Sequence, residues 1–320
     1  MTNTLQTMRK ISKTKNKGAL KKTLKPIYRS KVKKFTLRDS NSLEWGTALK
    51  PAFQDEQSNV RIYSGDCVDV LQQIAKAEPN GCIDTIFADP PYFLSNGGIS
   101  CQAGKMVSVN KGTWDKSRGA DLNHEFNRKW LEACQKVLKP NGTIWVSGTA
   151  HVIHSIGFAM QQLGYKILND ITWVKPNPPP NLSCRYFTHS TETVIWAAKN
   201  INSRHLFHYH EMRRMNNGKQ MKSVWPILPP ATQEKEFGKH PTQKPLELLN
   251  RILLSSSNTG DLVLDPFMGS GTTGVAAVQL KRKFVGIELD SIYINTAVKR
   301  IQQAERMPRH EQLPLAQRLF

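Results

Sequence analysis

Short apolar runs alternate with longer amphipathic stretches along most of this chain. Val60-Arg61-Ile62-Tyr63, Ile83-Asp84-Thr85-Ile86, Leu262-Val263-Leu264 and residues 143–146, 167–174, 193–198 and 283–289 have the length and apolar bias of buried strands. Between them Val68, Leu71 and Ile74 recur on one helical face, and residues 125–138, 152–163, 275–280 and a stretch ending at Leu254 read as helices. Strand and helix in turn predict an α/β protein with a doubly wound mixed sheet of seven strands, whose folded part begins near Asn59.

Three stretches break this rhythm. Residues 93–118, polar and glycine-bearing, are too long for a plain connection and read as a mobile loop. Residues 175–190 are rich in proline. Residues 200–238 interleave Arg204, His205, His208, His210, Arg213, Arg214, Lys219 and Lys222 with Phe207, Tyr209 and Trp225.

The candidate chemistry lies where strands end. The strand at 83–86 runs through Phe87 and Ala88 into Asp89-Pro90-Pro91-Tyr92, and two prolines stop any regular element from continuing. Pro90 and Pro91 cannot donate hydrogen bonds, but their carbonyls accept them. Asp89, the Pro90 carbonyl and the Tyr92 ring together suit a flat group that donates two hydrogens and stacks, such as the exocyclic amine of a nucleobase. Alone, the tetrapeptide reads more readily as a plain turn.

A second strand end changes that balance. Asp265-Pro266-Phe267-Met268-Gly269-Ser270-Gly271-Thr272-Thr273 leads from a strand into a helix, and such a glycine turn lets backbone N–H groups approach a nucleotide-like ligand. The spacing is neither the dinucleotide fingerprint nor a P-loop. Glu288 closes the next strand, where an acid is placed to bind ribose hydroxyls.

Asp89-Pro90-Pro91-Tyr92 together with 265–273 resembles the S-adenosylmethionine-dependent DNA amino-methyltransferases, with the catalytic motif ahead of the cofactor motif as in their β group. The resemblance implies a class I methyltransferase fold in circularly permuted order. It also implies a catalytic set of Asp89, Pro90, Pro91 and Tyr92. By the same resemblance the cofactor set is Asp66, Cys67, His240, Thr242, Lys244, Asp265, Pro266, Phe267, Gly269, Ser270, Gly271, Thr272, Thr273 and Glu288, with no metal. Asp66, which by itself reads as a helix cap, matches an acid that binds the adenine amino group of the cofactor. Thr242 and Lys244 match contacts to its carboxylate. Asp rather than Ser at position 89 leans toward adenine N6 over cytosine N4. The segment 175–190 borders the target base in this family, so polar contacts are expected there; His189 reads as structural or phosphate-contacting rather than as a general base.

Longer segments, among them residues 88–100, 125–130, 181–193 and 218–225, look like the second adenine methyltransferase of DpnII-type restriction systems over about 60–304. That implies methylation of adenine in GATC on duplex and single-stranded DNA, and functional pairing with a cognate restriction endonuclease. A homodimer is left open. The 181–185 stretch also occurs in GANTC enzymes, which makes a GANTC-like specificity the alternative, with N4-cytosine transfer behind it. The expected organisation is an arm at 1–55, a catalytic half at 56–199, target recognition at 200–238, a cofactor half at 239–305 and a tail at 306–320.

Charge adds a partner. Thirteen Lys and Arg and no acid fall within the first 38 residues of a chain with net charge +20 and pI about 9.8. Such a segment is expected to be disordered when free and to contact DNA, with a transit peptide and a solubilising tail as the other readings. The five cysteines are odd in number and have no metal-ligand spacing, which points to a reducing cytoplasm. No apolar run is long enough to span a membrane.

Overall fold

A computed structural model describes residues 49–95, 99–102, 105–108, 112, 115–238 and 240–306. The basic stretch 1–48 and the tail 307–320 lie outside the described residues, as do parts of the expected mobile loop.

The chain runs β1 (Phe53–Asp55), β2 (Val60–Ser64), α1 (Cys67–Ala77), β3 (Ile83–Ala88), a hairpin of β4 (Ile99–Gln102) and β5 (Lys105–Ser108), and α2 (Ala120–Val137). It continues through β6 (Leu138–Gly148), α3 (Ile153–Gln162), β7 (Lys166–Val174), β8 (Thr191–Ala198), α4 (Tyr209–Met215) and β9 (Val224–Pro226). Then come α5 (Leu246–Ser256), β10 (Leu262–Asp265), α6 (Thr272–Gln279), β11 (Lys283–Glu288) and α7 (Ser291–Arg306).

The main sheet has the order β1-β2-β11-β10-β3-β6-β8-β7-β9. Strand residues alternate between two cores, as a sheet buried on both faces requires. Ile83, Ile86, Ile144, Leu264, Val285 and Ile287 pack with Leu71 of α1, Trp130 of α2 and Ile156 of α3. Phe87, Trp145, Val263 and Phe284 face the opposite way, onto Leu248 of α5, Val275 of α6 and Ala297 of α7.

Seven of the nine strands are those expected from the sequence; β1 and β9 add one edge each. Each has only three residues, too few to show a period. β1 pairs antiparallel with β2 and carries the fold ahead of the expected start at Asn59. β9 pairs in parallel with β7 inside the segment expected to read DNA. That segment also contributes Met212, Trp225 and Ile227 to the core, where Trp225 lies 6.1 Å from Trp145, itself stacked on Trp196 at 4.7 Å.

β10 and β3 are parallel neighbours with Val263 opposite Thr85 and Leu264 opposite Ile86. Asp84 fixes this register, its Oδ2 accepting from the Leu262 N–H at 2.9 Å. From β10 the chain moves outward toward β11, and from β3 it moves the other way toward β6. Chain connections diverge there, opening a crevice at the strands' carboxyl ends where ligands bind in such sheets.

Candidate active site

Asp89 follows β3 and Asp265 ends β10, so the two acids stand side by side at this crevice. One cleft is lined by Phe87, Asp89, His240, Thr242, Gln243, Lys244, Leu249, Asp265, Phe267, Met268, Gly269, Ser270, Thr272 and Thr273. Asp89 and the glycine turn, from the two motifs singled out in the sequence, thus meet in space.

The turn after the prolines is held by Asp115. Its buried carboxylate accepts Tyr92 N–H and Phe93 N–H on Oδ1 at 2.9 and 2.8 Å, and Leu94 N–H and the Ser95 hydroxyl on Oδ2 at 3.2 and 2.8 Å. Pro90 and Pro91 offer no N–H, so the next three amides make the anchor instead. Phe93 takes φ 58°, a strained value for a non-glycine residue, within this clamp.

Asp89 is bonded from two directions. Lys244 Nζ donates to Oδ2 at 2.5 Å, and the Tyr92 hydroxyl donates to Oδ1 at 2.6 Å. The same hydroxyl lies 2.9 Å from Ser147 Oγ and 3.2 Å from Glu192 Oε2. Lys175 pairs with Glu192 Oε1, and Lys244 lies 3.9 Å from its Oε2. Two carboxylates and two ammonium groups therefore balance in a nearly closed site, as buried charge requires.

Burial alone would push the Glu192 carboxyl up, but Lys244 and Lys175 hold it below the usual carboxylate range. Burial pulls the Lys244 ammonium down, and Asp89 and Glu192 more than offset this, so the net direction is up. The Tyr92 phenol is raised well above its ordinary value by burial, with Asp89 and Glu192 adding to the shift, and it stays a donor.

Two placements differ from expectation. Lys244, with 5% exposure, is turned to Asp89 and Glu192 instead of standing free for a cofactor carboxylate. An ammonium this buried needs a fixed counter-charge, and the two acids provide it. Tyr92, expected to stack on a base, is 6% exposed and anchored inward by its hydroxyl. In this structure it orients Asp89.

The glycine turn is braced on both sides. Gly271 caps α6 at φ 78°, and a Cβ there would come within 2.7 Å of the Ala297 Cβ on α7. Gly269, at φ 52°, passes the His240 ring, which a Cβ would approach to 3.1 Å. Arg300 Nη1 donates to the Ser270 carbonyl at 2.6 Å and to Ser270 Oγ and Thr272 Oγ1, each at 3.0 Å. Burial lowers the Arg300 guanidinium to about 10.

Asp265 accepts from the Thr273 hydroxyl at 2.5 Å and from Phe267 N–H at 3.0 Å. Burial pushes its carboxyl up to about 7, with Asp89 and Glu288 adding like charge and those two hydrogen bonds opposing. Glu288 Oε2 accepts Gly269 N–H at 2.7 Å, tying the turn to the end of β11. Pro266 lies between Asp265 and Phe267, whose ring meets Trp130 edge-on at 5.3 Å.

Asp66 lies outside the cleft lining. It is exposed and caps α1 through Val68 N–H at 2.8 Å, the cap role that its sequence context suggested. Gly65 N–H donates to the Glu288 carbonyl, which keeps Asp66 near the strand ends. The Cys67 side chain points into the core, where burial drives its thiol well up. Among the described residues, no group of three or more His, Cys, Asp or Glu side chains could hold a metal ion, and no helix is long and apolar enough to cross a membrane.

The chemistry of this cleft fits an amino-acid nucleoside: acids at two strand ends, closely approachable glycine backbone and the apolar walls of Phe267 and Leu249. The model of the N6/N4 family described as DNA methylase matches residues 83–299, from β3 into α7. The chain belongs to this family. It is 52% identical over 82% of its length to the type II methyltransferase M2.DpnII of Streptococcus pneumoniae, covering 97% of that protein. It is equally 52% identical over 82% of its length to M2.LlaDCHI of Lactococcus lactis subsp. cremoris, again covering 97% of it. Among solved structures, the M1.HpyAVI complex with S-adenosylmethionine is 30% identical, with a TM-score of 0.58 over 76% of this chain and 98% of that one.

Asp115, Ser147, Glu192, Lys175 and Arg300 escaped the sequence reading. Each acts through a partner elsewhere in the chain, and although Lys175 and Glu192 lie in stretches the sequence had marked, nothing there showed that they pair. Only the acid-free neighbourhood of Glu192, from Lys175 to Thr191, hints at a lone carboxylate with a task.

Proposed function

We propose that this methyltransferase moves the methyl group of S-adenosylmethionine to adenine N6 in DNA, within GATC on duplex and single-stranded substrates, as the modification half of a restriction system paired with a cognate endonuclease. The observation that carries this is Asp89, placed at the crevice beside the glycine turn with both carboxylate oxygens oriented by neighbours. The names of the methyltransferases from Streptococcus pneumoniae and Lactococcus lactis support the restriction-system context.

Asp265, Glu288, Thr242, His240 and the 269–273 turn would hold the cofactor, which when bound supplies an electrophilic methyl on sulfur. Asp66 extends this set toward the adenine end. An adenine amino nitrogen is a poor nucleophile because its lone pair is delocalised into the ring. Each Asp89 oxygen keeps lone-pair capacity beyond the bond it already accepts. Asp89 and the Pro90 carbonyl each take one N6 hydrogen, drawing the nitrogen toward tetrahedral geometry and freeing the lone pair for in-line attack. The N–C bond forms as the C–S bond breaks, and Asp89 stands ready for the proton N6 gives up. Positioning and charge stabilisation do the catalysis, and no covalent enzyme intermediate is needed. The arm at 1–55 and the basic segment 200–238 supply phosphate contacts and base reading.

The test is transfer of labelled methyl to duplex and single-stranded oligonucleotides containing GATC, GANTC or neither, with the modified nucleoside identified. N6-methyladenine only in GATC, on both substrates, is expected. N4-methylcytosine would overturn the base assignment, and GANTC methylation the specificity. Asp89→Ala is expected to bind the cofactor within a few-fold of the parent and to lose turnover; normal methylation would remove Asp89 from the mechanism.

A further inference from the structure

The turn between β7 and β8 presents aromatic side chains to solvent without a core to receive them. Phe187 is 96% exposed, Tyr186 60% and Leu182 48%, all within six residues. Single exposed apolar residues need no explanation, but a cluster does.

The turn is built to hold its shape. Asn181 Nδ2 donates to the Tyr186 carbonyl at 2.5 Å, while its Oδ1 accepts the Ser183 N–H and hydroxyl at 3.0 and 2.8 Å. Cys184 takes φ 52°, folding the turn tightly. Tyr186 is backed by the His189 ring at 5.3 Å, and His189 by His151 at 6.0 Å. Phe187 therefore projects from a braced platform.

Its location ties it to the candidate active site. β8 runs antiparallel, so the turn stands at the same sheet edge as Asp89 and Asp265. Lys175 N–H donates to the Ser190 carbonyl at 2.8 Å and closes the turn's base. Within that base, Lys175 pairs with Glu192, which reaches the Tyr92 hydroxyl. From Lys175 to Thr191 there is no acid, and exposed Arg185, two residues from Phe187, gives the turn a positive charge that suits nucleic acid.

We propose that this turn is a base-stack wedge: Phe187 enters the DNA duplex and fills the space left when the target adenine moves into the Asp89 site. A base inside a duplex is out of reach of an enclosed carboxylate, so it must leave the stack. An apolar side chain in the gap replaces the lost stacking, as inserted wedges do elsewhere. The sequence alone suggested polar contacts from this stretch; its most exposed side chain is a phenyl ring, whose face is sequence-tolerant. The inference rests on the proposed DNA methylation and adds the group that keeps the duplex open.

The test compares wild type, Phe187→Ala and Phe187→Trp on two duplexes carrying the sequence established by the transfer assay. One has the target adenine paired; the other has it opposite an abasic site. Phe187→Ala is expected to lose about ten- to hundredfold in kcat/KM on the paired duplex, the scale of one stacked base. It should keep most activity on the unpaired target, and Phe187→Trp should restore the paired substrate. Cofactor affinity and melting temperature should stay at wild-type values, which separates a wedge from a folding defect. Equal activity of Phe187→Ala and wild type on paired DNA would overturn the proposal. So would an equal loss on both duplexes, or a loss that follows reduced self-association. A wild-type protein inactive on both duplexes would instead remove the proposed function, and the wedge with it.

Discussion

Lys244 Nζ lies 2.5 Å from Asp89 Oδ2 across 155 residues of sequence. The lysine is 5% exposed and also faces Glu192, so its charge is part of how the candidate catalytic carboxylate is held. Lys244→Met would leave two acids with one lysine between them. Removing one partner of a buried pair costs about 3 to 5 kcal/mol, so a clearly lowered melting temperature is expected, together with at least a tenfold loss of turnover. A variant that melts and turns over like the parent would show that the pair has no such role.

Glu192 carries a pH signature of its own. Its folded carboxyl is held below the usual range by Lys244 and Lys175. The stability it contributes is therefore present above its unfolded value and lost as pH falls through the lower folded one. Urea unfolding of wild type and Glu192→Gln between pH 6 and pH 3, a window set around the carboxylate reference of about 4.3, should show a shallower acid limb in the variant. Its turnover should also drop, because the Tyr92 hydroxyl loses a charged partner. Identical acid limbs would argue against the linkage.

Asp265 has the opposite sign. Raised to about 7 by burial, it takes up a proton on folding in mildly acidic solution. Its contribution is fully present below the unfolded value and is lost as pH rises through about 7. Wild-type stability, measured by denaturant titration from pH 5 to pH 8, should fall over that window by on the order of a few kcal/mol relative to Asp265→Asn. A flat difference between the two proteins would remove Asp265 as the titrating group.

Gly271 leaves no room for a side chain. At φ 78°, with Ala297 Cβ 2.7 Å from where its own Cβ would stand, Gly271→Ala combines backbone strain with overpacking against α7. Together these should destabilise the fold by about 2 to 4 kcal/mol. By shifting the turn held by Arg300 the change should also weaken cofactor binding at least tenfold, read by calorimetry. Gly164→Ala is the control, since nothing lies within 4 Å of its would-be Cβ although its φ is 75°; strain alone should leave cofactor affinity intact.

Much of this was legible in the sequence because it was written locally. Two strands ending in Asp89 and Asp265, a glycine turn and the helix after it each occupy one continuous stretch. The doubly wound sheet followed from strand and helix alternation, and its permuted class I organisation from the family resemblance. What stayed hidden was what depends on distant partners. Asp115 reads as an ordinary loop acid until its four donors are in place, and Lys244 reads as a ligand contact until Asp89 is seen beside it. Short β1 and β9 had too few positions to show alternation. Trp225, one of the aromatics interleaved with charge in the segment expected to read DNA, is a core residue because β9 adds itself to β7.

The placing of β10 between β3 and β11 has a consequence for how the protein comes off the ribosome. Asp84 and Leu262, bonded to each other across those strands, are 178 residues apart in the chain. β2 and β3 are made one after the other, yet the two strands that separate them in the sheet are made only after β4 to β9. Until then the Asp89 turn exists beside an unfilled gap, and an interrupted product has neither a cofactor cleft nor a finished sheet. The cleft therefore waits on β10 and β11, which follow the Asp89 turn only after most of the sheet has been made.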